Sequence, residues 1–309
     1  MVELIPDRGA AAVEEGGEDA FFRSREFFDA EGVTHTLAVD DGTSRVLVPL
    51  LVRPIPDTDR LDAISPYSYP GARVEGGPID PATVDLSASG LVSAFVRDRL
   101  VEPLAFTGAT DRSVVLVSDP AEPRKSRMSD RQQIRKNEAA GYEIATVPGA
   151  AATDSDLSGF LSVYAETMRV VEAADHYFFD AGYFRTLLAS PLTWLITVTG
   201  PDGDCAASAL AVRSDGFLHY YLSGTADEHR RRAPSKNLIV AATDFAEEMG
   251  LPLNLGGGVK PGDGLEEFKR GFANTELPYR THELICDPDA YAELSAGKDP
   301  GEGFFPAYR

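Results

Sequence analysis

"TWLITVTGPDGDCAASALAVRSDGFLHYYLSGT", residues 193–225, decides the fold class. Three apolar runs, 194–198, 205–212 and 217–222, read as strands, and they are separated by Pro-Asp-Gly-Asp at 201–204 and Ser-Asp-Gly at 214–216. Turns this short return the chain antiparallel, because a parallel neighbour needs a crossover of a dozen residues or more. Three strands in succession with no helix between them exclude a doubly wound parallel sheet. Outward from this stretch the spacing predicts a helix over 234–250 that ends at Gly250, a short strand at 253–255, a short helix starting at 266–268 and a closing strand at 279–285. Upstream it predicts a helix over 154–172 and another capped by Asp180.

The first half has the same grammar. Strands at 34–39 and 46–52 flank an Asp40-Asp41-Gly42 turn, which is a hairpin signal. A helix is expected at 21–28, helical periodicity at 91–100, and a buried strand at 114–117. Ser129 or Asp130 can cap a helix over 131–140, Gly141 suits the position past its end, and a strand follows at 142–147. Antiparallel strands, then a helix, then a strand, stated twice, predict a mixed α+β fold of two tandem domains, each a mostly antiparallel sheet flanked by helices. The expected boundaries are a disordered tail at 1–18, domains at 19–145 and 146–290, and a loose tail at 291–309.

Composition narrows the function. The chain has 309 residues, 43% of them hydrophobic, which is enough for a sizeable core. The start is acidic and Gly/Ala-rich, unlike a signal peptide, and no apolar run is long enough to span a bilayer, so a cytoplasmic protein is expected. Two distant cysteines and five scattered histidines show neither a disulfide framework nor metal-ligand spacing. The formal charge of −20 disfavours indiscriminate nucleic-acid binding. Against that background two basic clusters are anomalous: Arg124, Lys125, Arg127, Arg131, Arg135 and Lys136, and then Arg230, Arg231, Arg232 and Lys236. They are either solvated faces or anion sites.

The glycine-rich stretch "LNLGGGVKPGDGLEEFKRGF", 253–272, fails both nucleotide motifs. Asp263 stands where a phosphate-binding loop needs lysine, and Pro261 stands at the third position of a dinucleotide fingerprint. Its glycines mark backbone that leaves a strand end in conformations closed to other residues, whether as a connector or as a shaped turn. Asp263 can cap a helix over 264–270. At 231–237, Pro234, Ser235 and Asn237 open a helix beside the basic loop, and a helix N-terminus with free N–H groups and basic neighbours suits a phosphate, pyrophosphate or carboxylate. The loop tyrosines of "SPYSYPG", 65–71, and of "RVVEAADHYFFD", 169–180, are either core-edge residues or pocket walls.

Six segments in order carry a resemblance: "SPYSYPG" (65–71), "RQQIRKNEAAGYEI" (131–144), "YAETMRVVEAADHYFF" (164–179), "HYYLSGT" (219–225), "RRAPSKNLIVAATDFAEEMG" (231–250) and "LNLGGG…GLEEFKRGF" (253–272). Through them the chain resembles the FemAB-like family of the GNAT acyltransferase superfamily. The resemblance implies two GNAT-like halves and transfer of an amino acid from the 3′ end of an aminoacyl-tRNA, as co-substrate and without a tightly bound cofactor, to an amine-bearing acceptor. That acceptor would be a peptidoglycan precursor or a peptide natural product. An acyl-CoA donor is the alternative, and a non-catalytic binding protein a third. The family's Phe-Lys-x-x-Phe segment falls on Phe268 and Lys269, with Lys269 stabilising the oxyanion. Tyr67, Tyr69, Arg169, Tyr220, Tyr221 and Ser223 would bind the acceptor. Arg230, Arg231, Arg232, Ser235, Lys236, Asn237, Arg131, Arg135 and Lys136 would meet tRNA or phosphate. Ala233 and Pro234 replace the glycine usual in the superfamily's pyrophosphate loop, a departure that points away from coenzyme A.

Overall fold

A computed structural model describes residues 1–14, 19–258, 260, 262–298, 301 and 304–309. The chain begins with β1 (Val2–Ile5), α1 (Arg25–Glu31), β2 (His35–Asp40), β3 (Arg45–Pro54), β4 (Leu61–Ile64), β5 (Arg73–Glu75) and β6 (Leu91–Arg97). It continues through β7 (Thr110–Ser118), α2 (Met128–Ala139), β8 (Glu143–Pro148), α3 (Asp154–Val170), α4 (Ala181–Leu188), β9 (Thr193–Thr199), β10 (Cys205–Ser214) and β11 (Phe217–Thr225). It ends with α5 (Ser235–Glu248), β12 (Leu253–Gly256), α6 (Gly264–Arg270), β13 (Thr275–Ile285) and α7 (Pro288–Ser295). The fold is mixed α+β, with mostly antiparallel strand pairing, as expected. No helix among the described residues is long and apolar enough to cross a membrane.

The chain divides into two compact units. Unit 1 comprises Met1–Gly17, Phe22–Arg112 and Pro278–Arg309; unit 2 comprises Glu18–Phe21 and Ser113–Leu277. The boundary expected at residue 145 thus falls inside unit 2, and the C-terminal strand returns to unit 1. In unit 1 the strands pair in the order β1-β2-β3-β4-β6-β13, with β5 also on β3; only β4–β6 is parallel. Its core gathers Leu37, Val48, Leu50, Leu91, Phe106 and Leu284. Three expectations fail here. The first fourteen residues are not disordered: β1 pairs with β2 from Val2↔Val39 to Ile5↔Thr36. Residues 91–97 are a strand, not a helix, because β4 and β13 flank it and five of its seven side chains are buried, which erases the alternation that marks a one-sided strand. The C-terminal tail is anchored: α7 forms after an Asp287 cap, and the Tyr308 hydroxyl lies 2.7 Å from Ser93 Oγ in the interior.

In unit 2 the order is β7-β12-β11-β10-β9-β8, and only β11–β12 is parallel. The core joins Ile196, Val198, Ala209, Leu218, Leu238, Leu253 and Phe272. α3 lies directly on β11: a side-chain carbon at Gly224 would sit 2.5 Å from the Tyr164 backbone nitrogen, so only glycine admits this approach. Thr225 N–H donates to Thr167 Oγ1 at 2.9 Å across the same contact. α2 starts three residues earlier than expected and is preceded by Arg127, so Ser129 and Asp130 lie within it and do not cap it. Asp130 instead ion-pairs with Lys236 of α5 at 2.8 Å.

Candidate active site

The candidate site of unit 2 is built where β11 and β12 part. The two strands pair only at Leu218↔Leu253 and His219↔Asn254. At that last rung the side chains also meet: Asn254 Nδ2 donates to His219 Nδ1 at 3.0 Å, which leaves His219 Nε2–H to donate to the Ser214 carbonyl at 3.0 Å. Asn254 Oδ1 accepts the Gly256 N–H at 2.8 Å. His219 and Asn254 are buried, so this network fixes the strand end from beneath.

Beyond the rung the chain of β12 turns away through Gly256, whose φ of +72° is the left-handed conformation glycine favours. Gly257 then presses on β7: a side chain there would start 2.8 Å from the Val114 carbonyl oxygen. The turn runs into α6, which Asp263 caps by accepting the Glu266 N–H at 2.8 Å, as expected from its place in the sequence. α6 then projects Lys269 back over the turn. Its Nζ donates to the Gly257 carbonyl at 2.8 Å. Burial pulls the Lys269 ammonium down to about 8, while the nearby Asp263 carboxylate opposes the fall. An ammonium has three N–H donors, and this bond uses one. Phe268 is an anchor: its ring packs edge-on against Phe272 at 5.6 Å and rests on the unit 2 core.

On the β11 side, the β10–β11 register slips between Leu210 and Ala211, so Tyr221 is the extra, bulged residue. Such a bulge reverses the alternation of faces. Tyr220 and Ser223 therefore share a face, and their side chains hydrogen-bond; burial pushes the Tyr220 hydroxyl up to about 12. Tyr220 and Phe268 both pack against the unit 2 core cluster. Tyr221 points elsewhere, its ring edge-on to Phe21 at 6.2 Å and its hydroxyl 3.3 Å from that of Tyr183. Arg169 is exposed and folds back on its own helix, its Nε donating to the Ala165 carbonyl at 3.2 Å. Tyr67 and Tyr69 belong to unit 1. Tyr67 is exposed. Tyr69 packs edge-on between Phe22 and Tyr279, and Arg97 holds their loop through the Ser65 carbonyl at 2.6 Å.

The expected phosphate-binding residues separate into two groups. Arg230 is paired with Asp227 at 2.6 Å, and Lys236 with Asp130, so neither is a free cation; spacing alone could not reveal these partners. Arg231 and Arg232 are exposed. The loop is strapped down by the His229 bridge between Asp204 and the Tyr142 hydroxyl, at 2.8 and 2.7 Å, and by Asn137 Nδ2 donating to the Arg232 carbonyl at 2.9 Å. Ala233, the glycine replacement, sits at φ 47°, in the conformation glycine would take. α5 starts at Ser235 with no side-chain cap, and the buried Asn237, which accepts from Asn137 at 2.8 Å, keeps its own Nδ2 without a partner among the described residues. Arg131 and Arg135 line a separate cleft with Arg124 and Lys125, and Lys136 is exposed outside it. The His219–Asn254 network was not legible in sequence, since a histidine inside an apolar strand carries no mark of a partner 35 residues away.

Residues 124–270 match the acetyltransferase (GNAT) domain family, a stretch that lies wholly within unit 2. Through this domain the protein is an acyltransferase. No curated protein sequence matches the chain. Solved structures similar to it include the C-terminal domain of a proposed lysylphosphatidylglycerol synthetase from Agrobacterium fabrum, at a TM-score of 0.58 and 13% identity, covering 89% of this chain and 90% of that one. L-PGS from Bacillus licheniformis aligns at 0.54 and 12%, covering 89% and 95%, and FemX at 0.52 and 12%, covering 84% and 89%. At these identities the likeness is one of fold.

Proposed function

We propose that the protein forms an amide bond by moving an amino acid from the ester of an aminoacyl-tRNA to the amine of a small or peptide-like acceptor. The observation that carries this reading is the Lys269 ammonium just past the end of β12, which among the described residues donates to the Gly257 carbonyl alone and so has two N–H donors left over. An ester is already activated, so no covalent enzyme intermediate is required. The amine attacks the ester carbonyl, the C–O bond to the ribose breaks, and the ribose hydroxyl leaves with a proton that the amine has lost. The enzyme must hold the two reactants together and meet the charge that develops on the carbonyl oxygen. Lys269 supplies that charge. Tyr220, protonated at neutral pH and bonded to Ser223, orients the acceptor from the facing strand. The uncapped start of α5, with Asn237 Nδ2 and the exposed Arg231 and Arg232, suits the phosphates of the 3′ end. FemX and lysylphosphatidylglycerol synthetases among the fold relatives favour an aminoacyl donor. In the same reading unit 1 is a second GNAT-like domain.

Acyl-CoA is the second donor to consider, because Ala233 already adopts the backbone conformation that the usual loop glycine provides. A direct comparison decides between them: mixed aminoacyl-tRNAs against acetyl-CoA, with a panel of amines and mass detection of the product. Amide formation from charged tRNA alone is expected. Product from acetyl-CoA alone would overturn the reading.

A further inference from the structure

Two of the three basic residues of α2, Arg131 and Arg135, do more than face solvent. They line one wall of a cleft in unit 2 of about 430 Å³, whose other walls are the segment 124–126 and α5. Arg131, Ile134, Arg135 and Glu138 recur at the three- and four-residue spacing that places them on one side of α2. Val240, Thr243 and Asp244 face them from α5, and Phe272 closes the floor with Ile134. The charges are unequal. Arg124 is neutralised by Asp244 at 2.6 Å and Glu247 at 3.7 Å. Among the described residues Arg131 reaches the Ser126 carbonyl alone, and Lys125 and Arg135 have no ion-pair partner. On a chain of net charge −20, these three cations outnumber the one acid of the cleft not used by Arg124, Glu138, and leave it locally positive.

We infer that this cleft grips the phosphodiester backbone of the donor RNA, one or two nucleotides at a time, apart from the catalytic site. The inference rests on the aminoacyl-tRNA reading above. Arg131 and Arg135 stand one helical turn apart, about 6 Å along the axis. That spacing lets the two guanidiniums meet phosphates at neighbouring positions of one strand. The apolar floor of Ile134, Val240 and Phe272 accepts the face of a ribose or base, and the volume is that of a small-ligand site. The placement also fits a nucleic acid better than a free nucleotide. Asn137, two residues beyond Arg135, hydrogen-bonds the Arg232 carbonyl, so α2 leads from the cleft to the basic loop at the start of α5. One strand can therefore meet cations in the cleft, at Lys136 and at Arg231 and Arg232 in turn. A sequence-tolerant grip of this kind positions the carrier without reading it.

The test is equilibrium binding of a fluorescent, uncharged acceptor-stem hairpin RNA with a single-stranded 3′ tail, by anisotropy, between 50 and 200 mM KCl. The proteins are wild type, Arg131→Ala/Arg135→Ala, Arg131→Lys/Arg135→Lys and Lys269→Met. The double alanine variant is expected to bind roughly tenfold or more weakly, with a salt slope shallower by about 1.5, from two lost phosphate contacts. The double lysine variant, which keeps both charges, should retain the slope, and Lys269→Met should bind as wild type. A normal unfolding midpoint for the double alanine variant separates lost binding from lost folding. If wild type makes amide from charged tRNA and the double alanine variant binds hairpin with unchanged affinity and slope, the cleft has no such role. If AMP or inorganic pyrophosphate displaces nothing from the hairpin complex but binds the cleft by itself, the site takes a free nucleotide and the inference is wrong. No amide from any charged tRNA by wild type would instead refute the donor assignment itself.

Discussion

Replacing Lys269 by methionine removes one ammonium and keeps most of the side-chain volume. In the proposed mechanism that ammonium is the donor to the tetrahedral oxyanion, and loss of one such donor lowers kcat by about 100- to 1,000-fold. Its pKa shapes the pH dependence. With a value of about 8, Lys269 is about 90% charged at pH 7 and about 10% charged at pH 9. With a weakly basic amine as acceptor, already unprotonated across the range, kcat should fall through pH 8, and this limb should vanish in Lys269→Met. Stability should move the other way. The folded pKa lies below the ordinary 10.5, so between about 8 and 10.5 the unfolded chain binds more protons and stability rises with pH. Below about 8 the destabilisation is fully present. Lys269→Met should therefore leave the thermal midpoint at pH 7 unchanged or raise it, and should abolish the rise between pH 8 and 10.5. Pre-steady-state product formation at saturating donor, read beside thermal unfolding across pH 6–10, tests both limbs. A kcat loss below about tenfold, or a rate that climbs through pH 8 as a general base would make it, refutes the oxyanion role.

Three further outcomes follow from named contacts. Tyr220→Phe removes one neutral hydrogen bond, so KM for the acceptor should rise about 2- to 10-fold with thermal stability little changed; an unchanged KM would remove Tyr220 from the acceptor site. Gly224→Ala drives a methyl group into the α3 backbone, which cannot rotate aside, and should lower stability by about 2–4 kcal/mol in urea unfolding; a loss below about 0.5 kcal/mol would contradict the close approach of α3. Asn254→Ala strips partners from His219 and from the Gly256 N–H, so a loss of about 1–3 kcal/mol is expected, with faster amide exchange at Gly256. Exchange at the wild-type rate would show that Asn254 does not hold the turn.

Much of unit 2 was legible because its signals are local. The turns at 201–204 and 214–216 compel antiparallel return, and Asp180 and Asp263 cap the helices that follow them. The errors fell where a distant partner overrides a local pattern. Strand β6 lost its alternation because it is covered on both faces. Asp130 looked like a cap because sequence does not display Lys236 across the α2–α5 contact. The first residues read as disordered because Val2–Ile5 becomes a strand only when β2 pairs with it. The Phe-Lys pair at 268–269 was legible as a motif, but its environment was not.

By itself, then, the sequence determined the α+β class, the order of most elements, the two basic clusters and the candidate lysine. All of these depend on turn chemistry, caps, periodicity and charge, which act over a few residues. Tertiary structure alone decided which of those groups can act. Ion pairs reserve Arg230 and Lys236, a bulge turns Tyr220 and Ser223 to one face, and folding over Gly257 buries the Lys269 ammonium enough to bring its pKa to about 8. Desolvation and pairing arise between segments far apart in the chain, and no local pattern carries them.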